Sequence, residues 1–488
     1  MPDRAPRTRP GKKRTAPRAQ ADRPGAAAPA AFTAPKGAPS KASPARLAAL
    51  YVGRTARERE AFVHELISKH IDGAAMSPED RAFATRLALG VASTRGTLDE
   101  VIDRALRSPD DVRPDVRDAL RISAYEIFFL EKSPHAAVDQ GVELVRSFAP
   151  QATRLANAAL RKMVALKDGF PFGDPTRDLA ALARLHAFPT WLARRLVADL
   201  GPAAARDFMA ASNEPAPLFV AVNAARATDD EVAAAFAEAG ERVAPVALEG
   251  RPVPGCLLVA RPAALAQEAV ADLLAQGKML VSDAASQMIA HLALPARKPA
   301  SFLEVGAGRA TKTILLQSDA VRAYGSQMRL ETIDNRAFKT KLLRERAAAF
   351  GIDVAAAHTG DARKLAEALP DRRFDAVFID APCSGLGTLR RHPEIRWRLS
   401  ENAIGALADE GLAMLTSAAG CVAVGGQLTY ATCTVAHDEN NGVVTRFLES
   451  PAGAAFELLP TLGHGCFSTR LAPGSSDAHF AVRFRRRS

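Results

Sequence analysis

Apolar residues recur at helical spacing through the first third of the chain. One stretch places Val138, Val142 and Val145 on a single helix face, and similar patterns run from residue 44 to residue 195. Prolines interrupt the pattern and divide it into helices of ordinary length. These breaks fall at Pro109, Pro114, Pro134 and Pro150. The spacing predicts an all-α domain over residues 44–195.

The pattern then changes twice. Residues 196–270 mix a strand-like run, PLFVAVN, with a helical run, DEVAAAFAEAG, which predicts a small α/β linking module. From residue 271 to 488 apolar strands alternate with helices, and the strands are SFLEV, RLETI, FDAVFI and GQLTYAT. Alternation of this kind is typical of a doubly wound, mostly parallel sheet with a Rossmann-like α/β fold.

Length and composition agree with a multidomain globular protein. The 488 residues exceed one typical core, and 48% hydrophobic with 24% charged residues is ordinary globular composition. We find no apolar run of about 18 residues and no secretory signal pattern. We therefore expect a cytoplasmic monomer with no membrane partner.

The five cysteines contain no CxxC pair, which argues against a zinc site and against a disulfide scaffold. We expect no bound metal, and any reactive cysteine should act as a thiol.

Positive charge is concentrated at the amino terminus. Residues 1–43 hold ten Lys or Arg residues against two Asp residues, which accounts for most of the net charge of +10. The segment is rich in Ala and Pro, and such a composition predicts a disordered basic tail. Either the tail adds salt-sensitive affinity for phosphates or it is a solubilising extension.

A glycine-rich turn follows the strand SFLEV. Gly306 and Gly308 permit a close backbone approach to a ligand, Asp334 ends the next strand, and Asp361 follows the third. This order of turn and acids favours S-adenosylmethionine over a dinucleotide, because the last glycine of a pyrophosphate turn is missing. The candidate donor contacts are Gly306, Ala307, Gly308, Arg309, Ala310, Thr311, Lys312, Asp334, Asp361 and Asp380.

Two cysteines follow the last two predicted strands. Asp380 and Cys383 come after FDAVFI, and Cys433 comes after GQLTYAT, so all three should meet at one sheet edge. Methylation of cytosine carbon 5 requires a thiolate to add first to carbon 6, which makes carbon 5 nucleophilic. Asp380 would contact ring nitrogen 3, and a second thiol would assist the final elimination.

A cationic segment with one aromatic residue follows the first cysteine. Cations suit phosphate contact and an aromatic ring suits stacking on an unpaired base, although a solvated charged loop has the same composition. The candidate RNA contacts are Arg390, Arg391, His392, Arg396 and Trp397.

Particular motifs resemble known families. Residues 80–102, residues 120–146 and the run NAALR at 157–161 resemble NusB, a family whose helical domain binds RNA. DAPCSGLGTLRRHPEIRW (380–397) and YATCTVAHDENNGVV (430–444) resemble the two signatures of the Nol/Nop/Sun RNA 5-methylcytosine methyltransferases.

The second resemblance assigns roles to both cysteines. It implies that Cys433 is the nucleophile, that Cys383 helps release product, and that S-adenosylmethionine is the methyl donor. Together with the NusB-like domain, it implies 16S ribosomal RNA as the substrate.

The chain also departs from that family at three places. GAGRATKT (306–313) stands where the family has CAAPGGKT, SSDAHFAVRF (475–484) replaces a TDGFF-like stretch, and Ala221 stands where an arginine is usual.

One alternative is a non-catalytic RNA-binding or ribosome assembly factor on a methyltransferase scaffold, and donor binding would separate the two. Methylation of an exocyclic amine fits poorly, because such enzymes typically present a DPPY-like tetrapeptide rather than two cysteines. The target nucleotide, the choice between ribosomal and transfer RNA, and the choice between free RNA and an assembly intermediate stay open.

Overall fold

The computed structural model describes residues 41–71, 76–130 and 133–488. The predicted basic tail over residues 1–43 lies outside them, apart from its last three residues.

Six helices form the first unit around a core of their own. They are α1 (Pro44–Arg59), α2 (Val63–His70), α3 (Pro78–Ala105), α4 (Pro114–Phe128), α5 (Pro134–Arg146) and α6 (Thr153–Leu166). Ser43 and Ser77 cap α1 and α3 by accepting a backbone N–H three residues on, and a proline follows each serine. The sequence thus encodes these helix starts locally.

Helical structure continues past the predicted boundary at residue 195. Three more helices are α7 (Leu179–Leu185), α8 (Thr190–Leu200) and α9 (Pro202–Ala211). Their buried faces share a cluster with Leu386 and Leu389 of the last domain. These helices therefore pack on the segment that follows Cys383.

A four-stranded antiparallel sheet in the order β2-β3-β1-β4 forms the linking module. Its elements are β1 (Leu218–Val222), α10 (Asp229–Glu238), β2 (Val243–Leu248), β3 (Arg251–Val259), α11 (Glu268–Ala275) and β4 (Met279–Val281). Strand β4 lies beyond the predicted limit at residue 270, because a three-residue strand leaves little pattern in the sequence.

The last domain is a mostly parallel sheet in the order β10-β12-β9-β8-β5-β6-β7, with β11 beside β12. Its strands are β5 (Phe302–Val305), β6 (Leu330–Asp334), β7 (Ala356–Thr359), β8 (Phe374–Asp380), β9 (Val422–Thr432), β10 (Phe456–Leu459), β11 (Phe467–Ser468) and β12 (Phe480–Arg486). Its helices are α12 (Ala284–Ala293), α13 (Thr311–Tyr324), α14 (Ala337–Phe350), α15 (Leu365–Ala368), α16 (Ile395–Arg398), α17 (Glu401–Ala419) and α18 (Asn441–Leu448).

Strands β5 to β9 are parallel, and β12 pairs antiparallel with β9. The chain runs outward from β5 in both directions, so the strand order reverses there. A crevice opens at the carboxyl ends of the strands at such a reversal, and ligands of α/β proteins bind in it. The predicted fold class, an all-α domain followed by a Rossmann-like methyltransferase domain, is confirmed.

No helix in the ranges described above combines the length and apolar character needed to cross a membrane.

Candidate active site

The glycine-rich turn lies against the end of β8. Gly306 has a φ of 85°, and a Cβ atom placed on it would stand 2.6 Å from the carbonyl oxygen of Asp380. Only glycine fits both the positive φ and this close approach. The turn ends at Ala310, after which α13 begins. The sequence therefore encodes a narrow backbone cradle at this crevice.

Asp334 holds the turn from the end of β6. Its Oδ2 atom accepts a hydrogen bond from the Gly308 N–H at 3.0 Å and lies 3.5 Å from Lys339 Nζ. Its Oδ1 atom accepts from the Arg336 N–H at 3.1 Å. The carboxylate is buried and fixed at the place predicted for a donor contact.

Asp361 stands one strand further along the same edge, after β7. Its carboxylate is half-exposed and forms a forked pair with Arg363. Hydrogen bonds from the Arg363 side chain and backbone lower the pKa of Asp361 to about 2. The carboxylate thus stays charged and accessible near the turn.

Lys312 and Asp380 form an ion pair between α13 and β8, with Nζ 3.1 Å from Oδ2. Burial disfavours the ammonium group, but the charge of Asp380 outweighs it, and the pKa of Lys312 is raised. The neighbouring Arg309 side chain instead points outward and lies 3.6 Å from Glu65 of α2.

The two predicted cysteines meet. Cys383 Sγ lies 3.4 Å from Cys433 Sγ, and the Cys433 N–H donates to Cys383 Sγ at 3.3 Å. The hydrogen bond with Cys433, together with burial, raises the pKa of Cys383 well above its ordinary range. Cys383 is therefore a protonated thiol placed against the second sulfur.

A buried network behind the cysteines was not predicted from the sequence. Glu439 accepts hydrogen bonds from Ser384 N–H and Ser384 Oγ, both at 2.6 Å, and Thr434 Oγ1 lies 2.7 Å from Ser384 Oγ. Burial raises the pKa of Glu439. The network ties the loop of Cys383 to the loop of Cys433. The run of polar residues after Cys433 was its only signal in the sequence.

The structure corrects the expected position of the cationic segment, which is not an exposed loop. The Arg390 side chain is fully buried and donates to the carbonyl oxygens of Ser475 and Ser476. Arg391 pairs with Asp283 and Asp477. Both arginines are held by the protein itself because carboxylates and carbonyls surround them.

The other three predicted RNA contacts lie at the contact with the helical domain. The His392 ring is 4.9 Å from the His64 ring, and Trp397 Nε1 donates to the Ser93 carbonyl at 2.7 Å. Arg396 is fully buried. Direct RNA contact by these five residues stays a prediction, and for Arg390 and Arg396 it would require the loss of their internal bonds.

Arg396 is expected to contribute strongly to stability. It donates to the carbonyls of His186, Ala187 and Ser212 and to Asn213 Oδ1, while burial lowers its pKa to about 9. Arg396→Met would leave these acceptors buried without a partner, at a cost of about 2–4 kcal/mol in the free energy of unfolding.

Urea unfolding followed by tryptophan fluorescence measures this effect, because Trp397 lies beside Arg396 and Trp191, the other tryptophan, packs in the same region. The exposed Arg194 of α8 gives a matched control, and Arg194→Met should change stability by less than about 0.5 kcal/mol. Equal effects of the two substitutions would contradict the role assigned to Arg396.

Glu304 makes stability depend on pH. It is fully buried in β5, accepts from Thr313 Oγ1 at 2.7 Å, and burial raises its pKa to about 8 from an ordinary value of 4.5. The folded protein keeps this proton while the unfolded chain loses it, so stability falls as pH rises from about 4.5 to about 8.

Glu304→Gln removes this loss and keeps an acceptor for Thr313. The melting temperature of the variant relative to the wild type should therefore rise between pH 6 and pH 8 and then level off. The exposed Glu457→Gln serves as control and should show no such trend. A difference that is independent of pH would show that Glu304 is already charged in the folded protein.

Among the residues that the structure describes, no group of three or more His, Cys, Asp or Glu side chains is arranged to hold a metal ion.

The parallel sheet, the glycine cradle and the strand-end acids define a Rossmann-like methyltransferase. The model described as 16S rRNA methyltransferase RsmB/F matches residues 292–479, the NusB family matches 44–165, and an RsmF/B-like ferredoxin-like domain matches 188–265. Ribosomal RNA small subunit methyltransferase B of Thermus thermophilus is 31% identical over 370 residues, covering 76% of this chain and 78% of that protein. The chain belongs to the RsmB/F family of methyltransferases.

Other comparisons agree with this assignment. A probable ribosomal RNA small subunit methyltransferase B of Bacillus subtilis is 27% identical, covering 80% of this chain and 85% of that protein. The crystal structure of PH0851 has a TM-score of 0.73 at 22% identity and covers 92% of this chain and 100% of its own. NSun6 from Pyrococcus horikoshii has a TM-score of 0.52 at 16% identity, over 62% of this chain and all of its own. The two solved structures support the fold.

Proposed function

We propose that this protein transfers a methyl group from S-adenosylmethionine to carbon 5 of a cytosine in 16S ribosomal RNA, with Cys433 as a covalent nucleophile. The observation that carries the proposal is the 3.4 Å approach of Cys383 and Cys433 at the crevice edge, beside the ion pair of Asp380. Matched relatives named ribosomal RNA small subunit methyltransferase B support the choice of substrate.

The crevice suits the methyl donor. A Cβ atom at Gly306 would fill the cradle, and carboxylates at Asp334 and Asp361 suit hydroxyl and amine donors of a nucleoside. The NSun6 crystal structure was solved with SFG, an S-adenosylmethionine analogue. When bound, S-adenosylmethionine supplies an electrophilic methyl group. The predicted contacts from Gly306 to Lys312, with the acids at 334, 361 and 380, would hold it.

Cys433 starts the reaction by adding its sulfur to carbon 6 of the cytosine. This addition makes carbon 5 electron-rich and able to accept the methyl group. Asp380 is held as a carboxylate by Lys312 and lies at the same edge, so it can accept a hydrogen bond from the ring nitrogen or the amino group of the base.

Cys383 acts at the end of the reaction. Because its pKa is raised, it carries a proton 3.4 Å from the sulfur that must depart from carbon 6. A hydrogen bond from this thiol stabilises the departing thiolate. Glu439 and Ser384 fix the loop that holds it.

The helical domain supplies a second surface for RNA. A groove of about 580 Å³ between α5 and α6 is lined by Arg146, Arg154, Asn157 and Arg161. Arginines along a groove suit contact with RNA phosphates. The NAALR run that resembles NusB forms part of this groove.

The direct test is product formation. Purified protein is incubated with unmodified 16S ribosomal RNA, free and in small subunits, and with methyl-labelled S-adenosylmethionine, and the RNA is digested to nucleosides. The proposal predicts labelled 5-methylcytidine. Label in a different nucleoside would contradict the assigned chemistry.

Calorimetry with S-adenosylmethionine separates the proposal from a non-catalytic assembly factor. Donor binding is expected. Absence of both donor binding and product, with RNA binding retained, would favour the assembly factor.

A further inference from the structure

His479 stands beside Cys433 at the end of a strand pair. Strands β9 and β12 pair up to Thr432 and Phe480, so Cys433 and His479 are the next residue on each strand. The strands separate there around Gly387, whose N–H donates to the Cys433 carbonyl and whose carbonyl accepts from the Ala478 N–H. His479 therefore borders the gap beside the nucleophile.

Alternation along the strands places both side chains on one face. Ala431 and Ala481 are paired, and both pack in the core cluster that contains Phe378. Side chains two residues apart on a strand share a face, so Cys433 and His479 lie on this face, the one that also carries Lys312 over Phe378.

The imidazole is buried without a full set of partners. His479 is 6% exposed, and its Nδ1 atom has no hydrogen-bond partner. The ring lines a cleft of about 650 Å³ together with Thr434, Val435 and Asn440 of the Cys433 loop. An unpaired polar atom aimed at an open cleft beside a nucleophile indicates a ligand contact.

The charge state of the ring is fixed by its surroundings. Burial lowers the pKa of His479 to about 4; Asp283 and Asp380 and the backbone of Asp477 oppose this effect, while Lys312 adds to it. His479 is thus neutral in the working range of pH. A neutral imidazole has a lone pair that can accept a proton.

The proposed reaction leaves one proton without an acceptor. After methyl transfer, carbon 5 carries both the new methyl group and its original hydrogen, and that proton must leave before Cys433 is released. The sulfur and the methyl donor occupy opposite faces of the ring because they cannot share one. The hydrogen therefore ends on the face of Cys433, which is the side bordered by His479.

We propose that His479 is the general base that removes the proton from carbon 5, an inference that rests on the proposed function. The C5–H bond breaks and its proton passes to the imidazole. The electron pair of that bond forms the C5–C6 double bond, and the C6–S bond breaks to release Cys433 as a thiolate. Cys383 donates its hydrogen bond to this sulfur, and the imidazolium later loses its proton to water.

The test uses 16S ribosomal RNA transcribed with cytidine tritiated at carbon 5, together with unlabelled S-adenosylmethionine. Release of tritium to water reports proton removal, and a denaturing gel reports the protein–RNA adduct. His479→Ala should slow tritium release by about 10²–10⁴-fold and accumulate an adduct that already carries the methyl group.

Exogenous imidazole should restore tritium release in His479→Ala and not in Cys383→Ala, a result that a merely structural role would not give. The exposed His464→Ala serves as control and should match the wild type. If His479→Ala does not fold, His479→Gln, which keeps similar volume and lacks the base, decides the question by the same readouts.

Wild-type rates of tritium release in His479→Ala, or loss of adduct formation itself, would overturn the assignment of His479. Absence of tritium release and 5-methylcytidine in the wild type would instead overturn the proposed function, so the two failures are distinguishable.

Discussion

Cys433→Ala is expected to lower methyl transfer by about 10⁴-fold or more, because no other described group is placed to add to carbon 6. The substitution removes one sulfur atom at a partly exposed position, so the melting temperature should change little. Single-turnover assays with labelled S-adenosylmethionine and 16S ribosomal RNA measure the loss.

Cys421→Ala is the matched control for this experiment. Cys421 is buried in the core cluster at the opposite end of β9, and its loss should cost some stability while methyl transfer stays within about twofold of the wild type. Equal activity of Cys433→Ala and Cys421→Ala would remove the basis for a covalent mechanism.

Cys383→Ala is expected to trap the intermediate rather than to prevent its formation. Addition of Cys433 to carbon 6 and methyl transfer do not need the Cys383 thiol, but departure of the sulfur loses its hydrogen-bond donor at 3.4 Å. A protein–RNA band that survives denaturation should accumulate, and turnover should fall by about 10²-fold or more.

The double variant Cys383→Ala/Cys433→Ala separates this result from non-specific association and should give no band. Turnover of Cys383→Ala at the wild-type rate, with no accumulated band, would show that elimination does not use this thiol.

The sequence predicted those parts of the site that follow from strand ends. Gly306, Asp334, Cys383 and Cys433 each come directly after an apolar strand, and parallel strands bring such positions to one edge. For this reason a one-dimensional pattern was sufficient to place the turn, the acids and both thiols together.

The environment of the cationic segment could not be predicted in this way. Trp397 bonds to Ser93, which is 304 positions earlier, and Arg396 bonds to carbonyls more than 180 positions earlier. Whether an arginine faces solvent or a carbonyl depends on how domains pack, and local composition carries no information on that. A surface loop and a buried clamp have the same residues.

Glu439 and His479 were missed for a related reason. Glu439 acts through Ser384, which lies 55 positions away, and His479 gains its position from antiparallel pairing with the strand of Cys433. Neither residue sits in a pattern with a local meaning, so only the pairing register and the hydrogen bonds identify them.

The most direct test of the covalent mechanism is to locate the adduct on the chain. Fluorine cannot leave carbon 5 as a proton, so 16S ribosomal RNA made with 5-fluorocytidine should stay bound after methyl transfer. Trypsin separates the two thiols, because Cys383 falls in the peptide 374–390 and Cys433 in the peptide 399–446. We predict a methylated fluorocytidine on the 399–446 peptide, with fragmentation placing it on Cys433 rather than Cys421. An adduct on the 374–390 peptide, or a methylated base with no adduct, would contradict the mechanism.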